Sequence, residues 1–230
     1  MKDSTLYLKE ISKYVELFLY DIDFTLLIPH FNEEDEFFRS IMDLESAMRF
    51  EKEREKLIYA YEREHKRYDI DSLSDWFIFN GYDLTPKLIN EWIHFCGDVM
   101  GSDIPDGVYE HMESVKSLDK KQAISSNWFW YSQVNRLKRE YLYDYFNTIV
   151  TGDMFLKPHK ESYDYARGNI PRGRCLMIGD DLEKDFEVPI SLGFKAILID
   201  EDFSFRDLIG GKIDDRGSKT KVGNRFEQRL

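Results

Sequence analysis

Five short apolar runs constrain this chain most. They are VELFLY at 15–20, QAIS at 122–125, TIVT at 148–151, CLMIG at 175–179 and KAILI at 195–199. Each has strand length, and most are near-continuously apolar, which is the pattern of a strand covered on both faces. Helical patterns lie between most of them. YSQVNRLKREYLYDYF follows the second run and ESYDYARG precedes the fourth. DLEKDFEVPISLG joins the fourth to the fifth, with Pro189 as a kink and Gly193 as a stop. Strand and helix in alternation predict an α/β fold, a parallel sheet with helices on both faces.

One interval breaks the rhythm. About 100 residues separate the first run from the second, far more than a crossover needs. This stretch reads as helical. Asn32 with Asp35 has the spacing of a capping box, and Phe37, Ile41, Leu44 and Met48 follow at helical spacing. Thr85-Pro86 is a helix start, and Pro105 restarts a helix that leads into the second strand. A helical insertion at about 30–104 is therefore expected. The charge run at 51–67 reads as a solvated helix face with i,i+4 pairs rather than a coiled coil. The basic end at 212–230, with Lys212, Arg216, Lys219, Lys221, Arg225 and Arg229, is either a mobile end or a docking segment for an anionic partner.

Bulk properties narrow the class. The chain has 230 residues, 42% hydrophobic and 15% aromatic, enough for a sizeable core. Mean hydropathy is −0.53 and no apolar run reaches the roughly 20 residues of a bilayer span, so a soluble protein with no membrane partner is expected. The net charge of −12 repels phosphate backbones and argues against nucleic acid as a partner. Cys96 and Cys175 lie far apart and outside CxxC spacing, so neither a disulfide framework nor a zinc site is indicated. Residues 1–16 lack the basic-then-apolar order of a signal peptide, and a cytoplasmic protein is the expectation.

The chemistry sits at the ends of the apolar runs. Asp21 and Asp23 follow the first run, and alternate residues of an extended chain point the same way. Both carboxylates can then face one point beyond the carboxyl edge of the sheet, where open α/β sheets bind ligands. Two like charges in a partly buried place need a cation or a shared proton. Ser125, Ser126 and Asn127 end the second run, Lys157 follows the third, and Asp180, Asp181 and Asp185 follow the fourth. Taken singly, each has a bland reading as a turn residue, surface lysine or helix cap. Their joint order points to phosphate and metal chemistry.

In that order the segments DIDFT, SSN, KP and GDDLEKD resemble the four motifs of the haloacid dehalogenase-like (HAD) superfamily of hydrolases. The resemblance covers about 15–29 and 105–200. It implies a Rossmann-like parallel sheet core at 1–29 and 105–230, with an inserted α-helical cap domain at 30–104. It further implies Asp21 as nucleophile, Asp23 as general acid and base, and Thr25 as a residue holding that loop. Ser126, Asn127 and Lys157 are expected at the substrate phosphate. Asp21, Asp180 and the backbone carbonyl of Asp23 are expected to hold Mg²⁺, an all-oxygen site suited to that ion. Asp185 is expected to support Lys157, and Asp181 is either a helix cap or a further site residue. Members that cleave carbon–halogen bonds lack the second aspartate, so Asp23 points to phosphoryl transfer. The expected function is a Mg²⁺-dependent phosphatase that hydrolyses a small phosphorylated metabolite through an aspartyl-phosphate. A phosphomutase on the same fold, or a regulatory protein with residual activity, are the alternatives. Phe24 is bulkier than is common at its place, and the aromatic run 128–131 is read first as packing against the cap and second as a stacking surface for a ring.

Overall fold

The computed structural model describes residues 6–201 and 203–210, so the basic segment 212–230 lies outside the described residues. Its centre is a five-stranded sheet. Strand β1 (Leu17–Tyr20) lies between β4 (Lys121–Ser125) and β6 (Cys175–Gly179). Beyond these, β5 (Thr148–Val150) and β7 (Lys195–Leu198) form the edges. Every pairing in this sheet is parallel. All five apolar runs of the sequence are strands, because each can be covered on both faces. In β1, Phe18 and Tyr20 enter a cluster with Val108 and Met112 of helix α6 (Val108–Ser117). Leu17 and Leu19 enter the opposite one with Tyr163 and Ala166 of α8 (Lys160–Arg167). The two-residue period assigns them to these faces. The register sets Tyr20 beside Ile124 and Ile178, so β1, β4 and β6 end side by side.

The chain leaves the sheet through β2 (Ile28–Pro29) and returns through β3 (Ser102–Asp103), which pair antiparallel. This ribbon has two residues on each side and no alternation that a sequence could display. Between its strands run four helices: α2 (Phe31–Ile41), α3 (Leu44–Glu64), α4 (Ile70–Phe79) and α5 (Pro86–Asp98). Thr85 caps α5 as expected, accepting from the Leu88 N–H with Pro86 in the first turn. The capping box expected at Asn32 and Asp35 does not form. Helix α2 already begins at Phe31, and Asp35 lies 3.1 Å from Arg54 as an ion pair.

These helices enclose a core of their own. Phe38 meets Phe50 at 4.7 Å and Trp92 at 4.9 Å between ring centres, in edge-to-face geometry. The charge run on α3 is a solvated face on one side only. Lys52, Glu53, Glu55 and Lys56 are exposed, but Arg54 turns inward to Glu34 at 2.9 Å, and Glu62 is buried against Lys184 at 2.7 Å. The aromatic run 128–131 largely packs against the inserted helices. Trp128 lies 4.4 Å from Trp92, and Phe129 stacks on Tyr68 at 5.3 Å. A Cβ on Gly152 would stand 2.5 Å from the Tyr68 ring and 2.7 Å from the Trp128 nitrogen, so only glycine permits this docking. No helix among the described residues is long and apolar enough to cross a membrane.

Candidate active site

The tips of β1, β4 and β6 and the loop after β5 bring the sequence motifs to one cavity of about 520 Å³. Asp21, Asp23, Ser126, Asn127, Lys157, Asp180 and Asp181 all line it. Asp21 follows β1 directly, and its N–H donates to the Ile178 carbonyl at 3.0 Å, which extends the parallel ladder to the first carboxylate. Lys157 is buried with Nζ 3.0 Å from Asp21 Oδ1 and 2.6 Å from Asp185 Oδ1. Burial opposes its charge, but the Asp185 and Asp21 carboxylates outweigh burial and hold its pKa above the ordinary lysine value. Asp185 is fully buried against Gly179, where a Cβ would stand 2.3 Å from its Oδ2. Asp185 lies in a π-helical segment, Leu182–Glu187, where the sequence pattern suggests an ordinary helix. Asp181 starts this segment as its cap, accepting from the Glu183 and Lys184 N–H groups at 2.9 Å. That geometry takes up one of its oxygens and favours the cap reading.

Three carboxylates, Asp21, Asp180 and Asp185, lie within 4.8 Å of one another. Burial first, and the Asp21 charge second, raise the pKa of Asp180 above the usual carboxylate range. Crowded acids of this kind fit a hard divalent cation, which would relieve the repulsion. Within the trio, Asp185 already serves Lys157 and the Asp181 N–H, whereas Asp180 accepts the Thr25 hydroxyl at 3.1 Å and has no ion-pair partner within 4 Å among the described residues. Asp21 and Asp180 are therefore the side chains suited to a metal, with Thr25 orienting Asp180.

Asp23 turns away from this trio. Its Oδ1 accepts from Arg136 Nη1 at 2.6 Å and its Oδ2 from Gln133 Nε2 at 2.9 Å, both on helix α7 (Trp130–Arg139). Its side chain is thus directed to α7, and only its backbone carbonyl remains for the metal role expected of it. Ser126 is buried at the tip of β4 and its hydroxyl accepts from Gln133 at 3.2 Å. Asn127 differs from expectation. Its amide oxygen accepts from the Lys157 N–H at 2.8 Å and its nitrogen donates to the Lys157 carbonyl at 3.1 Å. Both ends are committed to the loop that carries Lys157, so Asn127 shapes that loop rather than offering its amide to a phosphate.

Gln133 and Arg136 escaped the sequence reading. Their signal is present: two long polar side chains share the buried face of α7 with Val134 and Leu137, where polar residues need a partner. The inserted helices also contribute to the wall, through Arg54, Tyr59 and Glu62 of α3 and Trp92 of α5. Two further wall residues, Phe24 and Trp128, hold left-handed backbone at φ 56° and 82°. For bulky side chains such a conformation is costly and collects at functional sites. Phe24 also packs against Phe31 at 5.5 Å and is half exposed at the cavity rim.

Known proteins resemble this chain in part of its sequence and in its fold. A family model described as HAD-hydrolase-like matches residues 155–213. Pyrimidine 5'-nucleotidase YjjG of Escherichia coli strain K12 is 40% identical over 78 residues, 32% of this chain. That match spans about a third, 35%, of the relative's length. The magnesium-bound putative HAD-hydrolase YfnB of Bacillus subtilis shares the fold at a TM-score of 0.60 and 19% identity, over 80% of this chain and 86% of that one. A putative beta-phosphoglucomutase of Thermotoga maritima does so at 0.55 and 18% identity, over 94% and 100%. The parallel sheet with acids at its strand tips is an α/β fold shared with HAD-like hydrolases, and the chain is similar to their family model over residues 155–213.

Proposed function

We propose that the protein is a Mg²⁺-dependent phosphatase acting on a small phosphomonoester beneath a helical cap formed by residues 30–104. The observation that carries this reading is the pair Asp21 and Asp23, which leave one strand for different partners. Asp21 faces Lys157 at 3.0 Å, and Asp23 faces Arg136 at 2.6 Å. A nucleophile and a separate acid are what a poor alcohol leaving group requires. In this reading Asp21 attacks phosphorus, and Asp23 protonates the departing alcohol and then takes a proton from water. Lys157 and the Ser126 hydroxyl bind the phosphate oxygens. Asp21, Asp180 and the Asp23 carbonyl would hold Mg²⁺, which supplies positive charge against the phosphoryl oxygens.

For the substrate, each lysine or arginine among the described wall residues already has a carboxylate. Arg54 pairs with Glu34, Arg136 with Asp23, Lys157 with Asp21 and Asp185, and Lys184 with Glu62. No uncommitted positive charge remains there for a second anionic group. With Trp92, Trp128, Tyr59 and Phe24 on the wall, an uncharged, ring-bearing alcohol fits best. The activity in YjjG's name makes pyrimidine nucleoside monophosphates the first substrates to try. Hydrolysis of p-nitrophenyl phosphate, lost with EDTA and restored by Mg²⁺, is the expected result; undiminished activity in Asp21→Asn would defeat the assignment. Likeness to a putative phosphoglucomutase keeps phosphoryl transfer to a sugar as the second reading, and a transferred phosphosugar without free phosphate would select it.

A further inference from the structure

We propose that Arg136 and Gln133 are positioning residues for Asp23, a role that rests on the reading of Asp23 as the general acid and base. The side chain of Asp23 is about one-third exposed, at 31%, on a loop at the cavity wall. Left alone, such a carboxylate samples several rotamers. A general acid works only within about 2.6–3.2 Å of the atom it protonates. Here one helix grips both oxygens, Arg136 at 2.6 Å and Gln133 at 2.9 Å.

The grip is itself held. Arg136 is 2% exposed, and its Nη1 also donates to Gln133 Oε1 at 3.0 Å. Its Nε and Nη2 donate to the Ser102 hydroxyl at 3.3 and 3.2 Å. Gln133 Nε2 donates further to the Asn127 carbonyl at 2.9 Å and to Ser126 Oγ at 3.2 Å. Neither end of the Gln133 amide is free to rotate away. A buried guanidinium is costly unless paired, and Asp23 is its ion-pair partner. Packing of α7 needs no arginine there, since Val134 and Leu137 already supply apolar contacts. The planar fork matters because it reaches Asp23, Gln133 and Ser102 at once, which an ammonium cannot do with the same geometry. Ser102 belongs to the ribbon that returns the chain from the inserted helices. The direction of Asp23 is thereby tied to the place where those helices attach.

In the first step a bond forms between Asp21 and phosphorus while the bond from phosphorus to the alcohol oxygen breaks. The broken bond's electron pair stays on that oxygen, which takes the Asp23 proton. In the second step water gives a proton to Asp23 as its oxygen bonds to phosphorus and Asp21 departs with its electron pair. A misdirected Asp23 harms the first step only where the alcohol needs a proton. Benzyl phosphate releases such an alcohol; p-nitrophenyl phosphate releases a stable phenolate.

The test compares kcat/KM for these two phosphates, with Mg²⁺, in the full-length wild type, Arg136→Lys, Gln133→Leu and Asp23→Asn. For Arg136→Lys we expect a loss of about 100-fold on benzyl phosphate and less than about 10-fold on p-nitrophenyl phosphate. Asp23→Asn should show the same selective pattern, and Asp23→Asn combined with Arg136→Lys should lose little beyond Asp23→Asn alone. Equal losses on both phosphates in Arg136→Lys, with the selective pattern kept in Asp23→Asn, would overturn the positioning role. Equal losses in Asp23→Asn would instead remove the acid–base reading, and the proposal with it. Thermal melts identify the folded variants. If Arg136→Lys does not fold, Gln133→Leu carries the same comparison, and a failure of both to fold makes the pair structural and overturns the proposal.

Discussion

Strand β1 leads into two buried polar clusters one residue apart, and they are built on opposite principles. Tyr20 points to one face of the sheet, where its hydroxyl meets His111 Nε2 at 2.9 Å and Gln122 Oε1 at 3.4 Å. Every member is neutral, and burial pushes the His111 pKa down to about 3. Asp21 points to the other side, among Lys157, Asp185 and Asp180, where every member is ionisable. A neutral cluster of hydrogen bonds stabilises modestly and carries no buried charge, although the His111 Nδ1 in it is buried without a hydrogen-bond partner. A charged one must overcome desolvation, and replacing such pairs by apolar residues is often neutral or stabilising. The difference lies in access. The neutral cluster is sealed among Phe18, Phe205 and Phe146. The charged one opens on a cavity where a phosphate and a cation can complete it.

Four experiments would break or sharpen that contrast. The largest effect is expected from Asp21→Asn, which should lower p-nitrophenyl phosphate turnover at least about 1,000-fold. Its unfolding free energy in urea should change by less than about 1 kcal/mol, since Lys157 keeps Asp185. Next, His111 tests the neutral cluster through pH. Its folded value of about 3 lies below the ordinary 6.5, so between these limits the unfolded chain binds a proton that the folded chain does not. Stability from this residue is complete above pH 6.5 and is lost as pH falls toward 3, on the order of 5 kcal/mol in all. Urea titrations of wild type and His111→Gln across that range should diverge, with the variant less dependent on pH. Lys157→Met should cost about 3–5 kcal/mol by the same titration, because it leaves Asp21 and Asp185 buried without their cation. If the variant were as stable as the wild type, the charged cluster would not depend on its lysine. Smallest is Gly179→Ala, which forces a methyl against Asp185 and should cost about 1–3 kcal/mol, read as a lowered melting temperature.

Legibility followed the range of the interaction. The residues Asp21, Ser126 and Asp180 were visible because strand tips announce themselves: an apolar run stops and a polar residue follows; Lys157, in the loop after the third run, was visible only by its place in the order of motifs. Thr85-Pro86 was visible because capping is settled within one turn. The capping box at Asn32 failed for the opposite reason. Arg54 lies in a different helix, and its pull on Asp35 and Glu34 is a tertiary fact. The charge run on α3 was legible as a helix but not as two faces, since the buried partner of Glu62 is Lys184, far along the chain. Asn127 was legible as part of a motif, while its commitment to the Lys157 backbone needed the two loops to meet.

By itself the sequence determined a parallel α/β sheet with three ordered polar strand ends, a lysine in the loop after the third run, and a long helical excursion between the first and second motifs. Periodicity and the abrupt ends of apolar runs are local properties, written within a few residues of each position. Only the tertiary structure decided that Asp21 and Asp23 part company, one to Lys157 and one to Arg136. That choice depends on which side chains the packed helix α7 and the loop after β5 bring within about 3 Å, a distance at which hydrogen bonds are made or lost.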